Sequence, residues 1–173
     1  MIMKKTTTQR LILTAVLAAL TCAATLLHIP TVNGYANLGD CLVLVCAWTL
    51  GPVYGTLAAA IGSALADIIL SYVIYAPATF VIKGLMALSA YFVCLLLSKP
   101  LKLPDVVSRI LGAITAEIIM ILGYFAFECI LYGAGGALAS ILTNAMQGAV
   151  GAIGGVILYN VLLRSRLLKN LHM

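Results

Sequence analysis

Charge is what this chain has least of. Only 5 of its 173 residues are Asp or Glu and 10 are Lys or Arg, so 9% of the chain is charged. An ordinary soluble domain carries about 25%. With 64% apolar residues and a mean hydropathy of +1.16, the chain has more apolar surface than a soluble fold of this size can hide. Histidine is nearly missing: His28 and His172 are the only two, which leaves few candidates for metal or Ser-His chemistry. No H-E-x-x-H, G-x-S-x-G or G-x-x-x-x-G-K-[ST] stretch occurs, so the chain has no phosphate loop with which to cradle ATP. The five cysteines, Cys22, Cys41, Cys46, Cys94 and Cys129, form no C-x-x-C pair. They read as small apolar residues rather than as a metal or disulfide framework. No inverted repeat is evident. The net charge of +5 does not indicate nucleic-acid binding, because the basic residues stand at predicted helix ends.

What is present is long apolar runs. In lipid only helices and closed barrels satisfy the backbone. Runs of about 20 continuous apolar residues favour helices over the alternation, about ten residues long, of a barrel strand. The predicted fold is an all-α integral membrane protein: six transmembrane helices in one compact domain over 1–173. A basic tail covers 1–10, and the spans fall near 11–27, 38–50, 53–71, 79–97, 107–131 and 138–163. The first apolar run resembles a signal peptide but continues to Leu27, long enough to span, and is expected to be retained. The second reaches only about 20 Å at 1.5 Å per residue, less than the hydrocarbon thickness of about 30 Å. With both termini cytoplasmic, the inner segments hold Lys4, Lys5, Arg10, Lys99, Lys102, Arg109, Arg164, Arg166 and Lys169. That strong positive-inside bias supports the topology and isolates Lys83 as the basic residue it does not explain.

The remaining polar residues gather in the outer half of the predicted bundle. Intramembrane ionisable groups point to a site by default. Asn37 and Asp40 open the second span, Asp67 closes the third, and Lys83 lies about one turn inside the fourth. Glu117 is mid-span, while Glu128 reads as interfacial. Asn144, Gln147, Gly148 and Gly151 share one helix face at i, i+3, i+4 and i+7. This asymmetry predicts a polar pocket served from outside rather than a continuous polar path. Each residue also has a plain structural reading. Asn144 and Gln147 bond neighbouring helices in many membrane proteins, and Asp40 suits a helix first turn. Lys83 either snorkels or pairs with Asp67 or Asp40. Glu117 is protonated, paired or in contact with ligand. Tyr72 and Tyr75, with Tyr35 and Tyr124, either stack on a ring or anchor the interface.

A second surface is made of small residues. Ala15, Ala19 and Ala23 recur every four residues beside Ala18 and form a stripe suited to close helix packing, within the chain or onto another subunit. Gly55, Ala59, Gly62 and Ala66, and likewise Gly148, Gly151 and Gly155, read as internal packing ridges.

The alanine stripe, the N-L-G-D opening at 37–40, G-P-x-x-G at 51–55, A-D-I-I-L-S-Y at 66–72 and A-P-A-T-F-V-I-K-G at 76–84 together resemble the substrate-binding S component of an energy-coupling-factor (ECF) vitamin transporter. The resemblance covers nearly the whole chain and is most specific from Asn37 to Gly84. It looks closer to the hydroxymethylpyrimidine and pyridoxine branch than to riboflavin S components. It implies a non-enzymatic, multi-pass protein of a prokaryotic plasma membrane that captures a small heterocyclic vitamin. Asn37, Asp40, Asp67, Tyr72, Tyr75, Lys83, Glu117, Asn144 and Gln147 would make the binding site. It further implies a transmembrane coupling subunit docking on Ala15 and Ala19, two partner ATPases that use ATP while this chain carries no cofactor, a gating loop over 30–38, and toppling of the whole subunit to release its cargo. A riboflavin or other vitamin S component, a small membrane enzyme using Glu117 and Asp67 as acid and base, and an autonomous transporter are the alternatives.

Overall fold

A computed structural model describes residues 7–30 and 35–165. In chain order these form α1 (Thr7–Leu26), β1 (His28–Pro30), β2 (Tyr35–Asn37), α2 (Gly39–Ile69), α3 (Ala76–Ser98) and α4 (Asp105–Arg164). All four helices are long and apolar enough to cross a membrane. Among the described residues the helix count is therefore four where six were expected. The reason is local: in 39–69 and in 105–164 two helical arms follow one another with a single non-helical glycine between them. Gly51 (φ 77°, ψ −170°) and Gly133 (φ 75°, ψ 166°) adopt positive φ, which costs glycine nothing and other residues considerably.

Those two glycines turn each long helix back on itself. A straight α4 would hold Arg109 and Asn160 roughly 75 Å apart at about 1.5 Å per residue. Instead the Arg109 Nη2 donates to Asn160 Oδ1 at 3.0 Å. Likewise Gly55, just past the turn in α2, sits so close to the preceding arm that an added Cβ would lie 2.5 Å from the Cys46 carbonyl oxygen. The short segment ending at Gly51 is thus one arm of a tight helical hairpin, and its Val43, Leu44, Cys46 and Ala47 are fully buried.

The small-residue ridges lie inside, as expected. Gly62 of α2 meets the backbone of Ala18 on α1, and its hypothetical Cβ would stand 2.9 Å from Thr21 Cβ. Gly155 of α4 closes in the same way on Leu44 Cδ1 at 2.8 Å. Replacing Gly62 with Val should force α1 away from α2. Overpacking of this kind costs about 1–3 kcal/mol, so the thermal midpoint in detergent should fall, and an unchanged midpoint would mean that α1 is not held at this crossing.

Two features give the bundle a polarity. At one end β1 and β2 pair antiparallel, with His28 opposite Asn37 and Pro30 opposite Tyr35, where the sequence suggests only a polar connection. At the other end stand Arg10, whose guanidinium lies 5.9 Å from the Tyr54 ring, and Arg109, 5.3 Å from the Tyr159 ring. Lys4, Lys5, Arg166 and Lys169 of the positive-inside argument lie outside the described residues, as does the middle of the expected gating loop, 31–34.

Candidate functional site

Beneath the strand pair, all four helices contribute to one cavity of about 510 Å³ including its mouth. Seven of the nine predicted site residues line it: Asn37, Asp67, Tyr72, Tyr75, Lys83, Asn144 and Gln147. Asp40 and Glu117 do not. Ala15 and Ala19 are exposed on α1, on the side opposite its buried Thr14, Ala18, Thr21 and Thr25. The alanine stripe therefore faces away from the bundle.

The floor of the cavity is an ionic layer. Asp40 sits in the first turn of α2 with no exposed surface, and Lys83 of α3 is 2% exposed. The two form a salt bridge through Lys83 Nζ and Asp40 Oδ1. The second oxygen of Asp40 accepts from Gln147 Nε2 at 2.6 Å. Gln147 Oε1 in turn accepts from the Asn37 backbone N–H at 2.9 Å. One amide thus joins the strand pair, α2 and α4. Of the partners considered for Lys83, Asp40 is the one it takes, not Asp67. Its ammonium also lies 5.6 Å from the centroid of the Tyr124 ring.

Glu117 lies beside this layer, away from the cavity. It is 5% exposed, and neither carboxylate oxygen has a hydrogen-bond partner among the described residues. It packs against the glycine face of α4: a Cβ on Gly151 would meet Glu117 Oε1 at 2.8 Å and Asp40 Cβ at 2.6 Å. The glycines are needed because two carboxyl-bearing side chains occupy the space a side chain would fill. Since Asp67 faces the cavity and Glu117 does not, the two carboxyls share no chamber in which to act as an acid–base pair.

The cavity walls are tyrosines and a second carboxylate. Tyr35 donates its hydroxyl to Asp67 Oδ1. Burial and this neighbouring acid push the Tyr35 phenol above its usual range, so it stays a donor. Ser71 takes a positive φ of 66° at the end of α2 and turns the chain so that the Tyr72 N–H reaches the Asp67 carbonyl at 2.8 Å. The rings then follow one another along the lining. Tyr35 and Tyr72 have centroids 5.0 Å apart, and Tyr72 and Tyr75 6.2 Å apart, separations at which aromatic pairs attract.

Glu128 corrects an expectation. Expected near the outer interface, it is 4% exposed and lines the cavity. Ser140, across the Gly133 turn, donates to its Oε2, and the Tyr75 hydroxyl stands 3.5 Å from its Oε1. A depth estimate along a single helix could not place Glu128, because Ser140 faces it only once the chain has folded back. A signal was nevertheless there. Glu117 and Glu128 are eleven residues apart, a rotation of about 20° beyond three whole turns, so they share a helix face. Thr79 was missed although it sits at i−4 to Lys83. Its hydroxyl is 2.9 Å from that of Tyr124 and close enough to Asp67 to act on it. Ser140 likewise extends the Asn144–Gln147 face by one turn. Thr25 and Ser63 complete the lining.

Three comparisons bear on identity. The family described as "ECF-type riboflavin transporter, S component" matches residues 5–164. A protein of Pyrococcus woesei, described as "Uncharacterized protein in gap 3'region", is 37% identical over 128 residues, covering 73% of this chain and 81% of its own length. A solved structure described as "Structure and mechanism of the S component of a bacterial ECF transporter" superposes with a TM-score of 0.74, covering 92% of this chain and 98% of that one at 24% identity. The last likeness concerns the fold. The match of residues 5–164 to the family pattern, on a helical fold shared with that structure, carries the conclusion: this chain belongs to the family of ECF-type riboflavin transporter S components.

Proposed function

We propose that this protein is the ligand-capturing subunit of an ECF importer in a prokaryotic plasma membrane, and that its cargo is a small heterocyclic vitamin such as hydroxymethylpyrimidine, pyridoxine or pyridoxamine. The observation that carries the reading is the convergence of Asn37, Asp67, Tyr72, Tyr75, Lys83, Asn144 and Gln147 on one buried cavity at one end of the bundle. Side chains of these kinds present hydroxyl, amide, ammonium and carboxylate groups around aromatic faces. Such a set suits one flat ring bearing several polar substituents. Asp40 supports the site from below by holding Lys83, and Glu117 from behind that layer.

On this reading the two arms of α2, the two arms of α4, α1 and α3 make six membrane passes of one domain, with both termini inside. The described basic residues at the end opposite the strands, Arg10, Lys99, Lys102, Arg109 and Arg164, support that orientation. The outward alanine stripe would seat the transmembrane coupling subunit, and two partner ATPases would supply the ATP-driven step. Riboflavin is the second reading, favoured by the description of the matching family.

Calorimetry on the purified protein with hydroxymethylpyrimidine, pyridoxine, pyridoxamine, thiamine, riboflavin and pantothenate separates the readings. Tight one-to-one binding of a single-ring compound, weakened by Asn144→Ala, is expected. Selective binding of riboflavin would replace the cargo assignment. Ala19→Trp should leave that binding intact while abolishing copurification with a coupling subunit and its ATPases. Retained copurification would remove the alanine stripe from the docking role.

A further inference from the structure

The charge arrangement around the cavity narrows the cargo beyond ring size. Three charged side chains line it: Lys83, Asp67 and Glu128. The charge of Lys83 is answered within the protein by Asp40, which the salt bridge and the Gln147 amide hold in place. Asp67 and Glu128 form no salt bridge among the described residues, and Lys83, paired with Asp40, acts on Asp67 only at longer range. Asp67 is 3% exposed and accepts from the neutral Tyr35 hydroxyl on one oxygen. Its other oxygen is buried and has no hydrogen-bond partner among the described residues, with the neutral Thr79 hydroxyl close to the carboxylate. Glu128 is held by the Ser140 and Tyr75 hydroxyls, also neutral. Neutral donors orient a carboxylate without cancelling its charge, and a buried carboxylate without a counter-charge is costly.

Resting on the ligand-capture reading above, we infer that the cavity recognises a ring carrying an amino substituent, with the free oxygen of Asp67 and the carboxylate of Glu128 as the groups that accept its N–H bonds. Glu128 has a second consequence. It joins the two arms of α4 across Gly133 through Ser140 and reaches the start of α3 through Tyr75. A donor bonded to Glu128 would therefore tighten three segments at once, coupling occupancy to closure of this end of the bundle. The amino group should be preferred because it carries at least two N–H donors for the two carboxylates, whereas an oxygen substituent carries at most one and leaves an acceptor unpaired.

The test uses matched ligands on the wild-type protein in detergent or nanodiscs. One pair is pyridoxamine and pyridoxine. The other is hydroxymethylpyrimidine and the analogue in which oxygen replaces its amino group. The amino member of a pair is expected to bind at least tenfold more tightly. Asp67→Asn or Glu128→Gln should erase that preference while the oxygen analogue still binds, and Glu128→Asp should restore part of it. Preference for the oxygen member, or an amino preference that survives both substitutions, overturns the inference. So does failure of all four compounds to bind while a tagged coupling subunit and its ATPases still copurify with the protein, an outcome that keeps the S-component assignment. Failure of both binding and copurification would overturn the proposed function itself.

Discussion

Asp40→Asn is expected to lower the stability of the protein by about 3–5 kcal/mol, the cost of stranding one partner of a buried ion pair. Lys83 is 2% exposed and Asp40 wholly buried, so water has little access to a lysine whose counter-ion is removed. Lys83→Met should cost a similar amount by stranding Asp40. The double substitution Asp40→Asn with Lys83→Met removes both charges and keeps an amide oxygen where Gln147 Nε2 donates at 2.6 Å. It should recover most of the loss, since replacing a whole buried pair is often near neutral. Denaturant or thermal unfolding of the four proteins in the same detergent gives the coupling directly. Single losses below about 1 kcal/mol would put the pair in the class of solvated surface bridges and remove it as the floor of the cavity.

Gln147→Ala carries the second large effect, on ligand retention. This residue accepts from the Asn37 N–H at 2.9 Å and donates to Asp40 at 2.6 Å, while its side chain also faces the cavity. Truncation leaves a strand N–H and a buried carboxylate oxygen unsatisfied, each worth about 1–3 kcal/mol. It also unties β2 from α4. Affinity for the bound vitamin should fall by about a hundredfold or more, at 1.4 kcal/mol per tenfold, and most of the change should be in the dissociation rate. Gln147→Glu keeps an acceptor for Asn37 but sets a second carboxylate against Asp40, so it should cost more stability than the alanine. A dissociation rate unchanged by Gln147→Ala would show that the strand pair is not held by this amide.

Much of the site was legible from residue type alone. Asp67, Lys83, Asn144 and Gln147 are conspicuous in hydrocarbon, and all four line the cavity. The glycine and alanine ridges were legible from their three- and four-residue spacing, and Gly62 and Gly155 meet neighbouring helical segments at close approaches. The roles within the site were less legible. Asp40 and Glu117 are as conspicuous as Asp67, yet both lie off the cavity. Glu128, expected near the outer interface, proves to be a wall of the cavity. The strand pair escaped notice because 3-residue strands are too short to show an alternation.

The sequence by itself determined the solvent, the helical class and the placement of most basic residues at one end of the helices. Those follow from sums over neighbouring residues: apolar run length, local propensity and the spacing of Lys and Arg. Only the tertiary structure decided which carboxylate answers Lys83 and which of the others face the cavity. That choice joins residues 43 apart in Lys83–Asp40 and 107 apart in Gln147–Asp40. It depends on how each helix is rotated about its axis and on where Gly51 and Gly133 fold α2 and α4 back, and neither is a local sum.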